Sequence, residues 1–253
     1  MSEPLVAIAP FLRSCSRVNT LGVRAALCDY SPQERQVMLS AGRIFFPTPR
    51  FVKIFEAAGK STFPNGFTYS IQRSRIVEEV LFQFLGCPHP RTRIYFGRQK
   101  RSIPEHFSFP FLAMGADKNS TALPVKNLRE LEESALRSNP LLVQEEMECE
   151  DRFRIIFVNF EFVGMGSAAP WMVRPKSGAD MFSSRSAAEL IRDVARIVRS
   201  VGLNDIAVEV GVGKNGWFII GFVRPPVFCS TPGGVVNRHK FISNLIEKGS
   251  FFM

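Results

Sequence analysis

The segment GWFIIGFVRPP (residues 216–226) joins an apolar strand to a charged, rigid end. Trp217 to Val223 form an apolar run of the length of one buried strand. Arg224 and the two prolines after it stop a sheet ladder, because proline has no backbone N–H to donate. The strand leads into the turn formed by Arg224 and the two prolines, but it carries no carboxylate and no amide side chain. Two interpretations stay open: the floor of a catalytic site that has lost its ligands, or a core strand.

Other chemistries lack the residues that they need. Glu145 and Glu146 are adjacent in a predicted strand, so they point to opposite faces and do not form a carboxylate dyad. The sequence contains no P-loop, no G-x-G-x-x-G after a strand and no zinc-type spacing. The three histidines, His89, His106 and His239, are each predicted to be structural or exposed.

Composition limits the class of protein and its partners. The chain has 253 residues, 45% of them hydrophobic and 22% charged, which fits one large domain or two to three small ones. Five widely spaced cysteines without a C-x-x-C motif fit reduced thiols. No apolar stretch approaches a membrane span, so we expect a cytoplasmic protein without a membrane partner. The net charge of +9 favours anionic partners such as nucleotides.

Hydrophobic periodicity predicts strands and helices that alternate early and antiparallel hairpins late in the chain, which argues for an α+β fold with more than one lobe. The first strong helix is predicted at 70–85 and ends at Gly86. A hairpin is predicted from strands at 206–212 and 216–223. The apolar stripe of the first helix is predicted to consist of Ile76, Val77, Val80, Leu81, Phe84 and Leu85. Further helices are predicted at 127–137, from 186 to Gly202 and at 238–248, and further strands at 5–9, 43–47, 92–97, 109–115 and 141–147. Residues 154–166 are predicted to form two strands around a tight turn, with Asn159 near the bend.

Several segments follow one another in a recognisable order: SRIVEEVLFQFLG, CPHPRT, RIYFG, FPFLAMG, LLVQEEM, RFRIIFVNFEFVG and VEVGVGKNGWFIIGFVRPP. This order resembles the ATP-grasp superfamily, especially its glutathione synthetase-like and ribosomal-protein glutamate ligase-like branch, over residues 70–227. The resemblance implies two α+β lobes that enclose a nucleotide cleft. We expect a small Rossmann-like α/β lobe at 1–70, a small grasp lobe at 71–147 and a large grasp lobe at 148–253.

Members of this superfamily bind ATP, phosphorylate a carboxylate and let an amine or similar nucleophile attack the acyl phosphate. The resemblance puts Arg75 where members carry a phosphate-binding lysine, and Met114 where they carry a second one. Lys118 lies near enough to substitute, although an ordinary loop lysine is the simpler interpretation. Arg154 matches a further arginine, and Arg174 matches a phosphate-binding arginine that we take as the catalytic candidate.

Members follow their second lysine with a glycine-rich loop that covers the phosphates. Here the loop reads GADKNSTALPV and holds only Gly115. A loop so poor in glycine cannot bring its backbone as close to a phosphate. An ordinary connection is therefore expected.

The strand LLVQEEM matches the family's hinge between the lobes, whose backbone reads the adenine edge. Gln144, Glu145, Glu146 and Met147 match this hinge in type and place. Recognition by the backbone tolerates side-chain changes, so this site would survive where others decay. An exposed acidic strand end is the alternative.

The resemblance also answers the question about the apolar strand. Members place one acid on the first strand of the last hairpin, and a glutamate and an asparagine on the second. Glu209 matches the first ligand, with Asp205 as a poorer candidate. The other two positions are Gly221 and Val223, so two of three ligands are missing. One carboxylate holds Mg²⁺ poorly without substrate phosphates.

We therefore expect an ATP-grasp-fold, nucleotide-binding protein with ATP as the cofactor, a weak site for Mg²⁺ and impaired catalysis. If the chain is active, the expected reaction is ATP-dependent amide formation between a small-molecule or peptide carboxylate and an amine. The alternative is a non-catalytic scaffold or anion-binding module derived from such an enzyme. Nucleic-acid binding through GRQKR (97–101) is a third possibility with less support in the sequence, and homo-oligomerisation is left open.

Overall fold

The computed structural model describes residues 4–168, 184–214, 216–225, 227–231 and 234–251. In this part of the chain the strands form three four-stranded sheets and one two-stranded hairpin, with helices between them. This architecture agrees with the predicted α+β class.

The first sheet is parallel and lies in the N-terminal part of the chain. Its strands are β1 (Leu5–Ala7), β2 (Val18–Thr20), β3 (Arg43–Phe45) and β4 (Ser61–Phe63). They pair in the order β2-β1-β3-β4, and two helices lie in the connections, α1 (Pro32–Ser40) and α2 (Val52–Ala57). Helix α1 begins with a capping box in which Ser31 and Glu34 each accept from the other's backbone N–H. Parallel strands joined through helices match the Rossmann-like lobe that we expected.

The helix predicted at 70–85 is two helices, α3 (Gly66–Ile71) and α4 (Arg75–Leu85). Ser74 adopts an extended backbone (φ −122°, ψ 117°) and its hydroxyl accepts from the Val77 N–H at 3.3 Å. An N-cap of this kind starts a new helix and so separates the two. Helix α4 ends at Gly86 as predicted, with a left-handed φ of 61°.

The predicted apolar stripe of α4 is partly wrong. Val80 and Phe84 are 53% and 84% exposed, whereas Glu78 and Glu79 are buried. Both carboxylates have basic partners, and a buried charge is tolerated when it is paired. The inward face of α4 therefore combines apolar residues, Leu81 and Phe82, with the two glutamates and their tertiary partners.

The second sheet is antiparallel. Its strands are β5 (Thr92–Tyr95), β6 (Phe111–Gly115), β7 (Leu123–Val125) and β8 (Leu141–Glu145), in the order β5-β8-β6-β7. Its helices are α5 (Ile103–His106) and α6 (Leu128–Arg137). Helix α6 begins as predicted at Asn127, whose side-chain oxygen accepts from the Glu130 N–H at 3.0 Å.

The third sheet is also antiparallel and contains the predicted late hairpin. Its strands are β9 (Asp151–Val158), β10 (Glu161–Ser167), β11 (Asp205–Gly213) and β12 (Gly216–Val223), in the order β10-β9-β11-β12. Helix α7 (Ser184–Ser200) connects β10 to β11. The chain continues with a hairpin of β13 (Phe228–Thr231) and β14 (Gly234–Asn237), followed by α8 (Arg238–Glu247).

Both faces of the third sheet are buried along the second half of β9 and the neighbouring part of β11, where the residues are apolar on both sides. Ile155 and Phe157 join the core cluster that contains α4 and α7. Ile156 and Val158 point the other way and join the cluster formed with the first sheet and α8. The third sheet is thus the layer on which both α4 and the N-terminal lobe pack. None of the described helices has the length and apolar character needed to cross a membrane.

A buried ion pair attaches α8 to this sheet. Arg238 at the start of α8 donates from Nε to Asp205 Oδ1 at 2.8 Å and from Nη2 to Oδ2. The neighbouring His239 stacks on Phe11 with ring centroids 4.3 Å apart. Burial, Arg238 and Arg224 lower the pKa of His239 to about 4. The imidazole is therefore neutral in the folded protein at pH 7.

We expect this histidine to make the fold acid-sensitive. Between pH 6.5 and 4 the unfolded chain takes up a proton at His239 that the folded chain does not, so stability falls as the pH falls through this window. Between pH 7 and pH 4.5, the free energy of unfolding in urea should fall by about 1–2 kcal/mol less in His239→Asn than in the wild type, after allowance for solvent screening. Lys240→Gln, an exposed change on the same helix, should keep the wild-type loss. Equal losses in all three proteins would contradict the assignment.

Candidate functional site

Three positions on the third sheet meet at one point. Glu209 on β11 lies directly opposite Arg154 on β9 and Gly221 on β12. Directly opposed residues in an antiparallel sheet share a face. Arg154 uses this proximity, because both Nε (3.2 Å) and Nη2 donate to Oε1 of Glu209. The sheet therefore brings together the predicted metal ligand, a predicted phosphate-binding arginine and the glycine at a predicted ligand position.

The space beside Gly221 is taken by a carboxylate from another element. A Cβ atom at position 221 would lie 3.2 Å from Oε1 of Glu78, which comes from α4. The same Oε1 accepts from the backbone N–H of Phe222. Glu78 thus puts an acidic oxygen next to the position at which β12 itself carries none.

The ammonium group of Lys118 completes this arrangement. Its Nζ donates to Glu78 Oε1 at 2.5 Å and to the Phe222 carbonyl at 2.6 Å. Strand β12 is the edge of the sheet, so the N–H and C=O of Phe222 point away from the ladder and need partners. Glu78 and Lys118 satisfy both groups and close the edge.

Burial acts on both members of this pair. It raises the pKa of the Glu78 carboxyl and lowers the pKa of the Lys118 ammonium, and in each case the partner's charge opposes the shift. Lys118 is also subject to the negative charge of Glu209, which favours its protonated form. The two acids and their cations therefore form one coupled cluster.

Arg75 fixes the loop that carries Lys118. Its backbone N–H donates to Ala116 O at 2.8 Å, and Nη2 donates to Ser120 O at 2.7 Å and to Lys118 O at 3.3 Å. Nε reaches the carbonyl of Asp117 at 3.4 Å. The guanidinium predicted to bind phosphate thus lies at the start of α4 and donates hydrogen bonds to the carbonyl groups of the loop. Arg174 lies outside the described residues.

The predicted hinge begins inside β8. The side-chain amide of Gln144 donates to the Thr92 hydroxyl at 3.0 Å, and the Glu145 N–H donates to Arg91 O at 2.9 Å. Both residues are therefore engaged with the chain around β5 and hold the end of β8 in place.

The next two residues, Glu146 and Met147, follow the end of β8 and lead towards β9. Within the part of the chain that the structure describes, their backbone N–H and C=O groups have no hydrogen-bond partner. Met147 is 43% exposed. The connection between the second and third sheets thus exposes backbone donors and acceptors that no other described residue binds.

Comparison with solved structures identifies this architecture. The chain is similar to a RimK-domain ATP-grasp protein from Sphaerobacter thermophilus, with 15% identity, a TM-score of 0.64, and coverage of 87% of this chain and 90% of that one. It is similar to the ATP-grasp ligase PsnB, complexed with a minimal precursor, with 11% identity, a TM-score of 0.64, and coverage of 98% and 99%. The chain has the ATP-grasp fold.

A third similar structure is the N5-carboxyaminoimidazole ribonucleotide synthetase from Thermotoga maritima, at 13% identity and a TM-score of 0.60. The match covers 87% of this chain and 61% of that enzyme. Neither a family profile nor a curated protein matches the sequence. The resemblance read from the motifs is therefore confirmed by structure, at the level of the fold.

The magnesium ion that an ATP-grasp fold implies does not fit the residues present. No group of three or more His, Cys, Asp or Glu side chains within the described residues is placed to hold a metal ion. Glu209 is paired with Arg154, and Asp205 is paired with Arg238. Gly221 brings no side-chain oxygen to this site. The oxygens that remain near the glycine already bind an ammonium group.

Sequence reasoning missed Glu78, the residue on which this cluster depends. One signal was present: the adjacent acids of RIVEEVLFQFL interrupt an otherwise apolar helix. Acids seldom occupy a fully buried position without a partner. The partners, however, lie 40 residues away at Lys118 and 144 residues away at Phe222, so the signal could not name them.

We expect a restored ligand at position 221 to conflict with Glu78. Gly221→Glu would force a side chain against Glu78 Oε1 and add a second negative charge, so urea unfolding should show a loss of about 2–3 kcal/mol. Combining it with Glu78→Ala should recover part of this loss, with a coupling of at least about 1 kcal/mol in a double-mutant cycle. The same cycle with the neighbouring buried acid, Glu79→Ala, should show almost none. A cycle without coupling to Glu78 would contradict the contact.

Proposed function

We propose that this ATP-grasp-fold chain binds an adenine nucleotide at the connection between its second and third sheets, without the magnesium-dependent chemistry of ATP-grasp ligases. The observation that carries the proposal is the pair of residues Glu146 and Met147, whose backbone groups have no partner in the described part of the chain. An adenine edge offers both a donor and acceptors, so an extended backbone is complementary to it. The ATP-grasp hinge reads adenine in this way.

Charge favours the same ligand. Arg154, Lys118 and Arg75 converge on the third sheet and the loop above it, and the whole chain carries a net charge of +9. Each of these cations already has protein partners, so a polyphosphate would share them rather than find them free. We therefore expect modest affinity, with most of the selectivity at the base.

Catalysis is the part of the ligase function that the residues support least. Phosphorylation of a carboxylate by ATP needs its triphosphate charge balanced by Mg²⁺ held on protein oxygens. Gly221 and Val223 supply no side-chain oxygen, and Glu209 is committed to Arg154. If turnover persists, the reaction class would be ATP-dependent carboxylate–amine ligation at a low rate.

A second ligand, a small molecule or peptide that carries a carboxylate, would fit a separate cavity. This cavity of about 430 Å³ lies where α2 and α3 meet the start of α4. Two basic side chains, Lys53 and Arg73, and the hydroxyl-bearing residues Tyr69, Ser70 and Ser74 are part of its lining. The hydroxyls of Tyr69 and Ser70 already donate to backbone carbonyls, so the two cations and the Ser74 hydroxyl are the groups that suit a carboxylate.

A scaffold without any nucleotide is the second candidate. Its support is that Arg75, Lys118 and Arg154 all have internal partners, as they would in a site repurposed for stability. Nucleic-acid binding through residues 97–101 has less support. The ammonium of Lys100 donates to Ala135 O and Ser138 O at 2.7 Å each and so holds the end of α6.

The hinge can be tested by removing one backbone donor. Met147→Pro removes the N–H at this position, and we expect at least a tenfold weaker Kd for ADP in isothermal titration. Met147→Ala keeps the N–H and should stay within about twofold of the wild type. If the wild type binds neither ADP nor ATP at millimolar concentration, the scaffold is the better description. If Met147→Pro and Met147→Ala weakened ADP binding equally, the backbone N–H of residue 147 would not be the group that binds adenine.

The cavity can be tested by charge reversal. We expect short dicarboxylates to raise the Tm of the wild type in a thermal-shift screen, and Lys53→Glu/Arg73→Glu to abolish the increase because the lining becomes acidic. Lys126→Glu/Lys240→Glu changes the net charge equally at exposed sites and should keep it. If dicarboxylates still raised the Tm of Lys53→Glu/Arg73→Glu, they would bind outside this cavity.

A further inference from the structure

We propose that the ammonium group of Lys118 is a built-in cation that stands in place of a divalent metal ion in this ATP-grasp fold. Anion binding beside it is then independent of Mg²⁺. The second statement rests on the nucleotide site proposed above. The first statement does not, because it concerns only the protein's own cation and the oxygens around it.

The surroundings of the ammonium are those of a hard cation. A carboxylate oxygen of Glu78 lies 2.5 Å away and the carbonyl oxygen of Phe222 lies 2.6 Å away. Carboxylate and backbone carbonyl oxygens are also the ligands that Mg²⁺ and Ca²⁺ take in proteins. The negative charge of Glu209 acts on the same ammonium.

The position of the cluster connects it to the place where the fold expects metal ligands. Glu78 Oε1 lies 3.2 Å from where a Cβ on Gly221 would be, and Gly221 lies opposite Glu209. The acid that β12 lacks is thus replaced by an acid from α4. Because residue 221 is a glycine without a side chain, the Glu78 carboxylate has room to occupy this place.

Charge balance then works against a metal ion. The carboxylates of Glu78 and Glu209 are matched by the cations of Lys118 and Arg154. A divalent ion brought to these oxygens would meet two positive charges in a half-buried site, where Coulomb repulsion is weakly screened. To bind it, the protein would have to displace Lys118 and leave its ammonium without partners.

The loop that carries Lys118 is held in the position that this role requires. Arg75 binds the carbonyls of Asp117, Lys118 and Ser120, and so ties the loop to the start of α4. Lys118 ties the same loop to β12. The loop therefore does not need glycines to approach a phosphate closely, because it delivers a fixed charge instead of backbone N–H groups.

The decisive experiment measures Mn²⁺ binding without nucleotide, by electron paramagnetic resonance and by isothermal titration at pH 8. The wild type should bind no Mn²⁺ at submillimolar concentration. Lys118→Gln removes the charge but keeps a donor for Glu78, and Lys118→Met removes both. We expect each variant to gain at least about tenfold in Mn²⁺ affinity, since Glu78 and the Phe222 carbonyl then lack their cation and the charge of Glu209 acts on the same place.

Two controls define the site. Lys118→Gln/Glu78→Gln should lose the gained Mn²⁺ affinity, and Lys126→Gln, at an exposed lysine, should behave as the wild type. Mn²⁺ binding by the wild type, or no gain in Lys118→Gln when its circular dichroism spectrum and urea transition show a folded protein, would overturn the proposal. Lys118→Gln therefore decides the question even if Lys118→Met does not fold.

A nucleotide arm tests the functional consequence separately. The wild-type Kd for ADP should be the same, within about twofold, in Mg²⁺ and in EDTA, whereas Lys118→Gln should bind ADP more tightly in Mg²⁺ than in EDTA. A strong requirement of the wild type for Mg²⁺ would overturn the built-in cation. If no protein binds ADP, the proposed nucleotide site fails, while the Mn²⁺ measurements still decide the role of Lys118.

Discussion

The contact between Glu78, Lys118 and the backbone of Phe222 is the constraint on which the rest of the site depends. It joins three elements that are far apart in the sequence: helix α4, the loop after β6 and the edge strand β12. Each of the three partners also supplies a hydrogen bond or a charge that another one requires. The edge strand has unpaired backbone groups, the buried acid needs a cation, and the lysine needs acceptors. Because these needs are mutual, removing one side chain takes one buried partner from each of the other two members.

This contact also explains why the face of α4 differs from its hydrophobic pattern. A helix that followed hydrophobicity would bury Val80 and Phe84 and expose its two adjacent acids. The structure does the opposite, because Glu78 has Lys118 and Phe222 as partners. Paired buried charges cost less than the pattern assumes, and their geometry is specific in a way that apolar packing is not.

Local rules predicted much of the fold, and they failed where distant partners decide. The hairpin of β11 and β12, the N-cap at Asn127 and the end of α4 at Gly86 follow from spacing and turn chemistry in short stretches of sequence. The opposition of Glu209 and Gly221 does not follow from the hairpin alone, because the register of β11 and β12 shifts between Glu209 and Val210, and an unshifted ladder would put Glu209 opposite Ile220. The role of Glu78 does not follow from local rules either, because nothing near it in the sequence indicates a lysine 40 residues later. Arg75 shows the same limit: its place in a helix follows from the sequence, and neither the helix start at this residue nor its loop carbonyl partners do.

The two halves of the candidate site are physically independent, which is why one can persist while the other changes. The proposed hinge consists of backbone groups at Glu146 and Met147 that no other described residue binds, and almost any side chains there leave those groups intact. The charged cluster depends on the identity of each side chain, so a single change from ligand to glycine at position 221 alters what the remaining oxygens can hold. Once Glu78 and Lys118 occupy that space, a returning acid at Gly221 meets like charge rather than a metal ion. The ammonium of Lys118 therefore holds α4, the loop after β6 and the edge strand β12 together at this point.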